Sequence, residues 1–136
     1  ELLIGQHVVS APLVRKSGLE IISTGYILIE SGAETAVERV SQTKPIERND
    51  LDLALATALA GEMLGSKLIY LEAGSGAQKA VPLELIALMA QNVTIPLIVG
   101  GGITNKEGVQ NAYHAGADLV VIGTAFENNM DFFKEY

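Results

Sequence analysis

Apolar residues in this chain gather into four short unbroken runs, with longer stretches between them in which they recur at helical spacing. The runs are Tyr26-Ile27-Leu28-Ile29-Glu30, Leu68-Ile69-Tyr70-Leu71-Glu72-Ala73, Pro96-Leu97-Ile98-Val99-Gly100 and Asp118-Leu119-Val120-Val121-Ile122. Each is too short for a helix and apolar on both faces, which predicts buried strands. Leu51, Leu55, Leu59 and Met63 recur every fourth residue, behind Asn49 or Asp50 as N-cap and ahead of Gly65 as the glycine that ends a helix. A second helix opens with Pro82 at its first position and buries Leu85, Ile86 and Met89. A third covers 105–115 and closes at Gly116, with Thr104 and Glu107 at capping-box spacing. Residues 1–17 have no clean period and contain Pro12, so they read as a loop with a short helix. The mixed residues 34–48 read as a long connection, and 126–136 as a last helix.

The order is strand then helix, four times over, which predicts an α/β fold with a parallel sheet covered by helices. Three strands run into glycine-rich loops: Gly74-Ser75-Gly76, Gly100-Gly101-Gly102 and Gly123-Thr124. In parallel folds the loops at the strand C-terminal ends share one face, so these three converge. Four such units are too few to close an eight-stranded barrel.

At 136 residues and 49% hydrophobic the chain can bury a core as one domain. Its charge of -7 argues against a nucleic-acid surface, because duplexes are held mainly by clustered basic residues. A bound phosphate must therefore be held by local amides rather than a basic field. With no cysteine, disulfides, thiolate catalysis and cysteine-ligated metals are excluded, and a cytoplasmic enzyme fits. No stretch approaches the roughly 20 apolar residues of a membrane span.

Tyr70-Leu71-Glu72-Ala73-Gly74-Ser75-Gly76 is the strongest constellation. Side chains alternate along a strand, so Tyr70 and Glu72 share a side, and burying an unpaired carboxylate is costly. A polyol substrate gives Glu72 a purpose, either accepting hydroxyl hydrogen bonds or taking a proton, with Tyr70 as a second polar contact. The plainer alternative pairs Glu72 with a lysine at the strand's mouth. Ser75, between two glycines, offers a hydroxyl and open amides to phosphate oxygens, although such a turn alone is ordinary. Barrels commonly hold phosphate with the loops after their last two strands and a nearby helix N-terminus, here the loops at 100–102 and 123–124. Glu30 ends its strand as Glu72 does, and either contacts substrate or caps the strand. His7 has no partner at metal spacing, and His114 suits a helix C-terminus.

With Ile4-Gly5-Gln6-His7, Gly25-Tyr26-Ile27-Leu28-Ile29-Glu30, Gly100-Gly101-Gly102-Ile103 and Gly116 through Thr124 added to the Tyr-x-Glu-x-Gly-Ser-Gly run, the chain resembles the geranylgeranylglyceryl phosphate synthase family, which includes the PcrB-type enzymes. The resemblance implies a TIM-like (βα)8 barrel of roughly 230 to 250 residues, of which this chain would be the C-terminal half. It implies a prenyltransferase of ether-lipid biosynthesis, joining the C3 hydroxyl of sn-glycerol 1-phosphate to a polyprenyl diphosphate and releasing pyrophosphate. Tyr70 and Glu72 would hold the glycerol, with Glu72 the base. Leu71, Ala73 and Gly74 would line the same glycerol 1-phosphate site, and Ser75, Gly76, Gly101, Gly102, Gly123 and Thr124 would bind phosphate. The family's first four strands, with an Asp that helps hold Mg²⁺, have no counterpart here, so Mg²⁺ is expected in the other half. A half barrel exposes its inner face and two sheet edges, so pairing with the missing half or a second copy is expected. Transient contact with a membrane surface would deliver the prenyl substrate. The competing readings are a barrel enzyme acting on a sugar phosphate and a phosphate-binding fragment without turnover.

Overall fold

The computed structural model describes residues 2–132 and 134. Four parallel strands, β1 (Thr24–Leu28), β2 (Leu68–Glu72), β3 (Leu97–Gly100) and β4 (Leu119–Val121), form one sheet in the order β1-β2-β3-β4. Helices α3 (Leu51–Met63), α4 (Leu83–Asn92) and α5 (Lys106–Ala115) connect them, α1 (Leu2–Lys16) precedes the sheet, and the short α2 (Ala36–Ser41) and α6 (Thr124–Asn128) follow β1 and β4. An order that never reverses is that of a barrel segment rather than of a doubly wound sheet.

Register sorts the side chains into two faces. Ile27, Leu71, Val99 and Val120 form one row across the sheet, and Ile69 and Leu97 lie in the row below. This face packs with Ala54, Ala58, Leu85, Ile86, Met89, Val109 and Ala112 into one core, where each fully buried aliphatic side chain contributes about 1.5–3 kcal/mol. Tyr26, Tyr70, Ile98 and Leu119 form a row on the opposite face, and Leu28, Glu72, Gly100 and Val121 the row above it. On that face Tyr26, Leu119 and Val121 stay exposed. Among the described residues the sheet is therefore an open half barrel, with α3, α4 and α5 packed on one face.

Several local expectations change. A 15-residue α1 runs through Pro12 where a loop with a short helix is expected. Residues 7–16 are all exposed, so no burial pattern imposes a period on them. β1 runs from Thr24 to Leu28; just beyond it Ile29 N still donates to the Glu72 carbonyl of β2, while on the other edge the Ile46 N–H donates to the Leu28 carbonyl and its own carbonyl accepts from Glu30 N, all at 2.8 Å. Within the 34–48 connection α2 forms behind Thr35, whose capping box with Glu38 is complete. In α3 Asp50 is the N-cap and Gly65 takes the left-handed conformation, as expected, but the buried residues are Ala54 and Ala58, and Met63 is exposed. A strict four-residue repeat drifts by about 40° per step around a helix of 3.6 residues per turn, so Met63 has rotated off the core. Pro82 is the N-cap of α4 rather than its first residue. Asn105, not Thr104, caps α5, because its backbone is the extended one and its side chain accepts from Gly108 N at 2.8 Å. The last helix is only five residues long, since Asn129 turns extended; of the expected 126–136, residues 133, 135 and 136 lie outside the described ones.

Candidate active site at the strand C-terminal ends

Alternation along β2 directs Tyr70 and Glu72 to the inner face. Glu72 is only 8% exposed. Its Oε1 accepts from Gly74 N at 2.6 Å, and its carboxylate also accepts from the Tyr70 hydroxyl. A carboxylate has about four lone-pair sites, so acceptor capacity remains for a substrate. The expected alternative of a lysine partner is not what the structure shows: among the described residues the ion pairs Lys44–Glu47 and Lys134–Asp131 are on the surface and neither involves Glu72.

Tyr26 lies beside Tyr70, ring centroids 5.1 Å apart and planes at 70°, in an edge-to-face pair. Burial, then the hydrogen bond to Glu72 and its charge, push the Tyr70 phenol far above its usual range. Burial, then the Glu72 charge, push Tyr26 up to about 12. Both phenols are thus neutral donors at working pH. Unfolded tyrosine titrates near 10, so the unfolded chain loses this proton first as pH rises, and stability is present below pH 10 and declines between about 10 and 12. Tyr26→Phe should remove part of that decline, read as urea midpoints at pH 9 and 11.5; an unchanged slope would contradict the shift.

The glycine run after β3 makes room for this pair. A Cβ on Gly100 would lie 2.5 Å from the Tyr70 hydroxyl and 3.1 Å from Glu72 Oε2. At Gly101, with φ at +82°, it would lie 2.6 Å from both Glu72 Oε1 and Gly74 N. Sequence reasoning sees a phosphate cradle here; the structure adds close approach to the carboxylate.

The three loops do converge. Glu72, Gly74, Ser75, Gly76, Gly101, Gly102, Gly123 and Thr124 line one open cavity of about 280 Å³. Ala77, Ile103, Thr104, Val121 and Ala125 complete its wall, none of them singled out by sequence reasoning for this site. Thr104 is available there because Asn105 has taken over the cap. Among the described residues, none that lines the cavity is basic. Leu71 and Ala73, in the same run as Glu72, are fully buried in the helix-side core, so they can offer only backbone. Tyr70 stands on the inner face beside the cavity rather than in its wall. Glu30 is turned to its own loop, accepting from the Gly32 N–H. His7 is exposed on α1, and His114 is exposed in the last turn of α5. Among the described residues no group of three or more His, Asp or Glu could hold a metal ion.

Known proteins resemble the chain over nearly all of it. Geranylgeranylglyceryl phosphate synthase of Flavobacterium johnsoniae is 68% identical over 133 residues, covering 98% of this chain and 55% of the relative. The protein of that name from Thermococcus gammatolerans is 49% identical over 125 residues, covering 92% of this chain and 49% of its own length. The crystal structure of (S)-3-O-geranylgeranylglyceryl phosphate synthase from Thermoplasma acidophilum, in complex with sn-glycerol-1-phosphate, is similar with a TM-score of 0.89 at 34% identity, over 96% of this chain and 52% of that one. The chain thus spans about half the length of the relatives it matches, their C-terminal half. The model of the PcrB family matches residues 1–135, and with the identities above this establishes that the chain belongs to the PcrB family.

Proposed function

We propose that this chain carries the glycerol-phosphate site of a prenyltransferase, which joins the C3 hydroxyl of sn-glycerol 1-phosphate to a geranylgeranyl-type polyprenyl diphosphate. The observation that carries the reading is Glu72: a buried carboxylate without a cationic partner among the described residues, held by Gly74 N–H and the Tyr70 hydroxyl at the wall of a cavity built from three glycine loops. Glycerol hydroxyls would lie against Glu72 and Tyr70. The phosphate would sit on Ser75, Gly76, Gly101, Gly102, Gly123 and Thr124, where amides and hydroxyls rather than side-chain cations meet its charge. Glu72 takes the C3 hydroxyl proton as that oxygen attacks the first prenyl carbon. The ether C–O bond forms, the carbon–diphosphate bond breaks, and pyrophosphate leaves with the bonding electrons.

The described residues do not provide a donor set for Mg²⁺, and this reading assigns the metal on the diphosphate to the N-terminal half of the barrel. That half, or a second copy of the chain, would cover the inner face where Tyr26, Leu119 and Val121 are exposed. No described helix is long and apolar enough to cross a membrane; the enzyme would work in the cytoplasm and meet its prenyl substrate at a membrane surface. The relatives' shared name favours this reading over a sugar-phosphate enzyme or a non-catalytic fragment.

The test uses a full barrel, made by joining this chain to the N-terminal half of the Flavobacterium johnsoniae relative. Supplied with radiolabelled geranylgeranyl diphosphate, Mg²⁺ and sn-glycerol 1-phosphate, it should form a labelled ether phosphate. Phosphate binding without that product would contradict the proposal.

A further inference from the structure

Residues beyond β1 fold back along that strand, with Ile29 and Ile46 in a parallel bridge. Two residues later Arg48 reaches across to another loop. Its Nη1 donates to the Glu30 carbonyl at 3.0 Å and its Nη2 to the Ala80 carbonyl at 2.8 Å. Ala80 lies between the Gly74–Gly76 turn and α4, and its backbone rests on the β3 loop: a Cβ on Gly102 would come within 2.6 Å of Ala80 N. Lys79 N adds a bond to the Ser31 carbonyl at 3.1 Å, tying the same two loops by backbone alone.

Arg48 is half-buried, belongs to no ion pair found among the described residues, and does not line the cavity. Its planar fork is what allows one side chain to hold two carbonyls from different loops; a lysine is a point donor on a flexible stem. We infer that Arg48 is a positioning residue for the phosphate cavity, fastening the loops after β1 and β2 so that residues 79–80 stay seated against Gly102. This rests on reading that cavity as the phosphate site for sn-glycerol 1-phosphate.

In the joined barrel, Arg48→Ala should raise KM for sn-glycerol 1-phosphate about tenfold or more, the loss of one charge-assisted hydrogen bond. The kcat should stay within about threefold, since Glu72 is untouched. A merely structural role gives the opposite split, because a partly unfolded population lowers apparent kcat and leaves KM alone. Arg48→Lys should keep the raised KM, and added guanidinium at millimolar concentration should lower the KM of Arg48→Ala toward wild type. An unchanged KM in Arg48→Ala, or a wild-type KM in Arg48→Lys, would overturn the inference while leaving the prenyltransferase reading intact. If the unsubstituted barrel forms no ether, that reading falls, and calorimetry with inorganic phosphate decides on Arg48: about tenfold weaker binding in Arg48→Ala upholds the positioning role, and equal binding rejects it.

Discussion

Glu72→Gln in the joined barrel should lower ether formation by at least about 100-fold, the lower end of what a positioned general base contributes. Glutamine fills the same buried volume, and its amide oxygen can still accept from Gly74 N–H, the 2.6 Å bond that fixes the side chain. What it lacks is a basic lone pair for the C3 hydroxyl proton. The Tyr70 hydroxyl, which donates to the carboxylate in the native site, can rotate to accept from the new amide, so the fold survives. The loss should therefore appear in kcat, with KM for sn-glycerol 1-phosphate changed far less, and single-turnover kinetics separate the two. Turnover equal to that of the native residue would remove Glu72 as the base.

The second large effect is on stability. Gly101→Ala should destabilise the chain by roughly 2–5 kcal/mol, combining left-handed strain with overpacking. The new methyl would stand 2.6 Å from Glu72 Oε1 and 2.6 Å from Gly74 N, between the two partners of that hydrogen bond. One of them is backbone, so no rotamer change clears the space. Gly76→Ala is the matched control: φ is +74° there, but nothing lies within 4 Å of the added carbon. It should cost only the backbone share, about 1–2 kcal/mol. Urea midpoints of the two variants isolate the contact term, and equal midpoints would show that the Glu72 loop yields freely.

The features legible in the sequence are those that a few neighbouring residues determine. The four strands, the Asp50 cap and the Gly65 end of α3, and the Leu85, Ile86 and Met89 face of α4 all follow from local pattern. So does the meeting of the three glycine loops, because a parallel sheet gathers its strand ends. Capping shows how narrow the margin is. Thr35 and Glu38 have the same spacing as Thr104 and Glu107, yet only the first pair forms a box. Asn105 competes with Thr104 and has the extended backbone a cap requires, whereas Thr35 has no such rival, and its box stands among the otherwise mixed residues of 34–48. α1 is illegible in the sequence for another reason, since an exposed helix carries no stripe. Arg48 joins carbonyls 18 and 32 residues away, which no local pattern encodes. The same holds for Gly100 and Gly101: three glycines announce a loop, but the side chains that need the space come from β2.

Crystals of the joined barrel soaked with sn-glycerol 1-phosphate show where each group of the substrate lies. Phosphate oxygens should lie within hydrogen-bond reach of Ser75 and of the Gly101–Gly102 amides, with the C3 hydroxyl on the Glu72 carboxylate. A ligand bound with its phosphate away from these loops, or with no hydroxyl at Glu72, would contradict it.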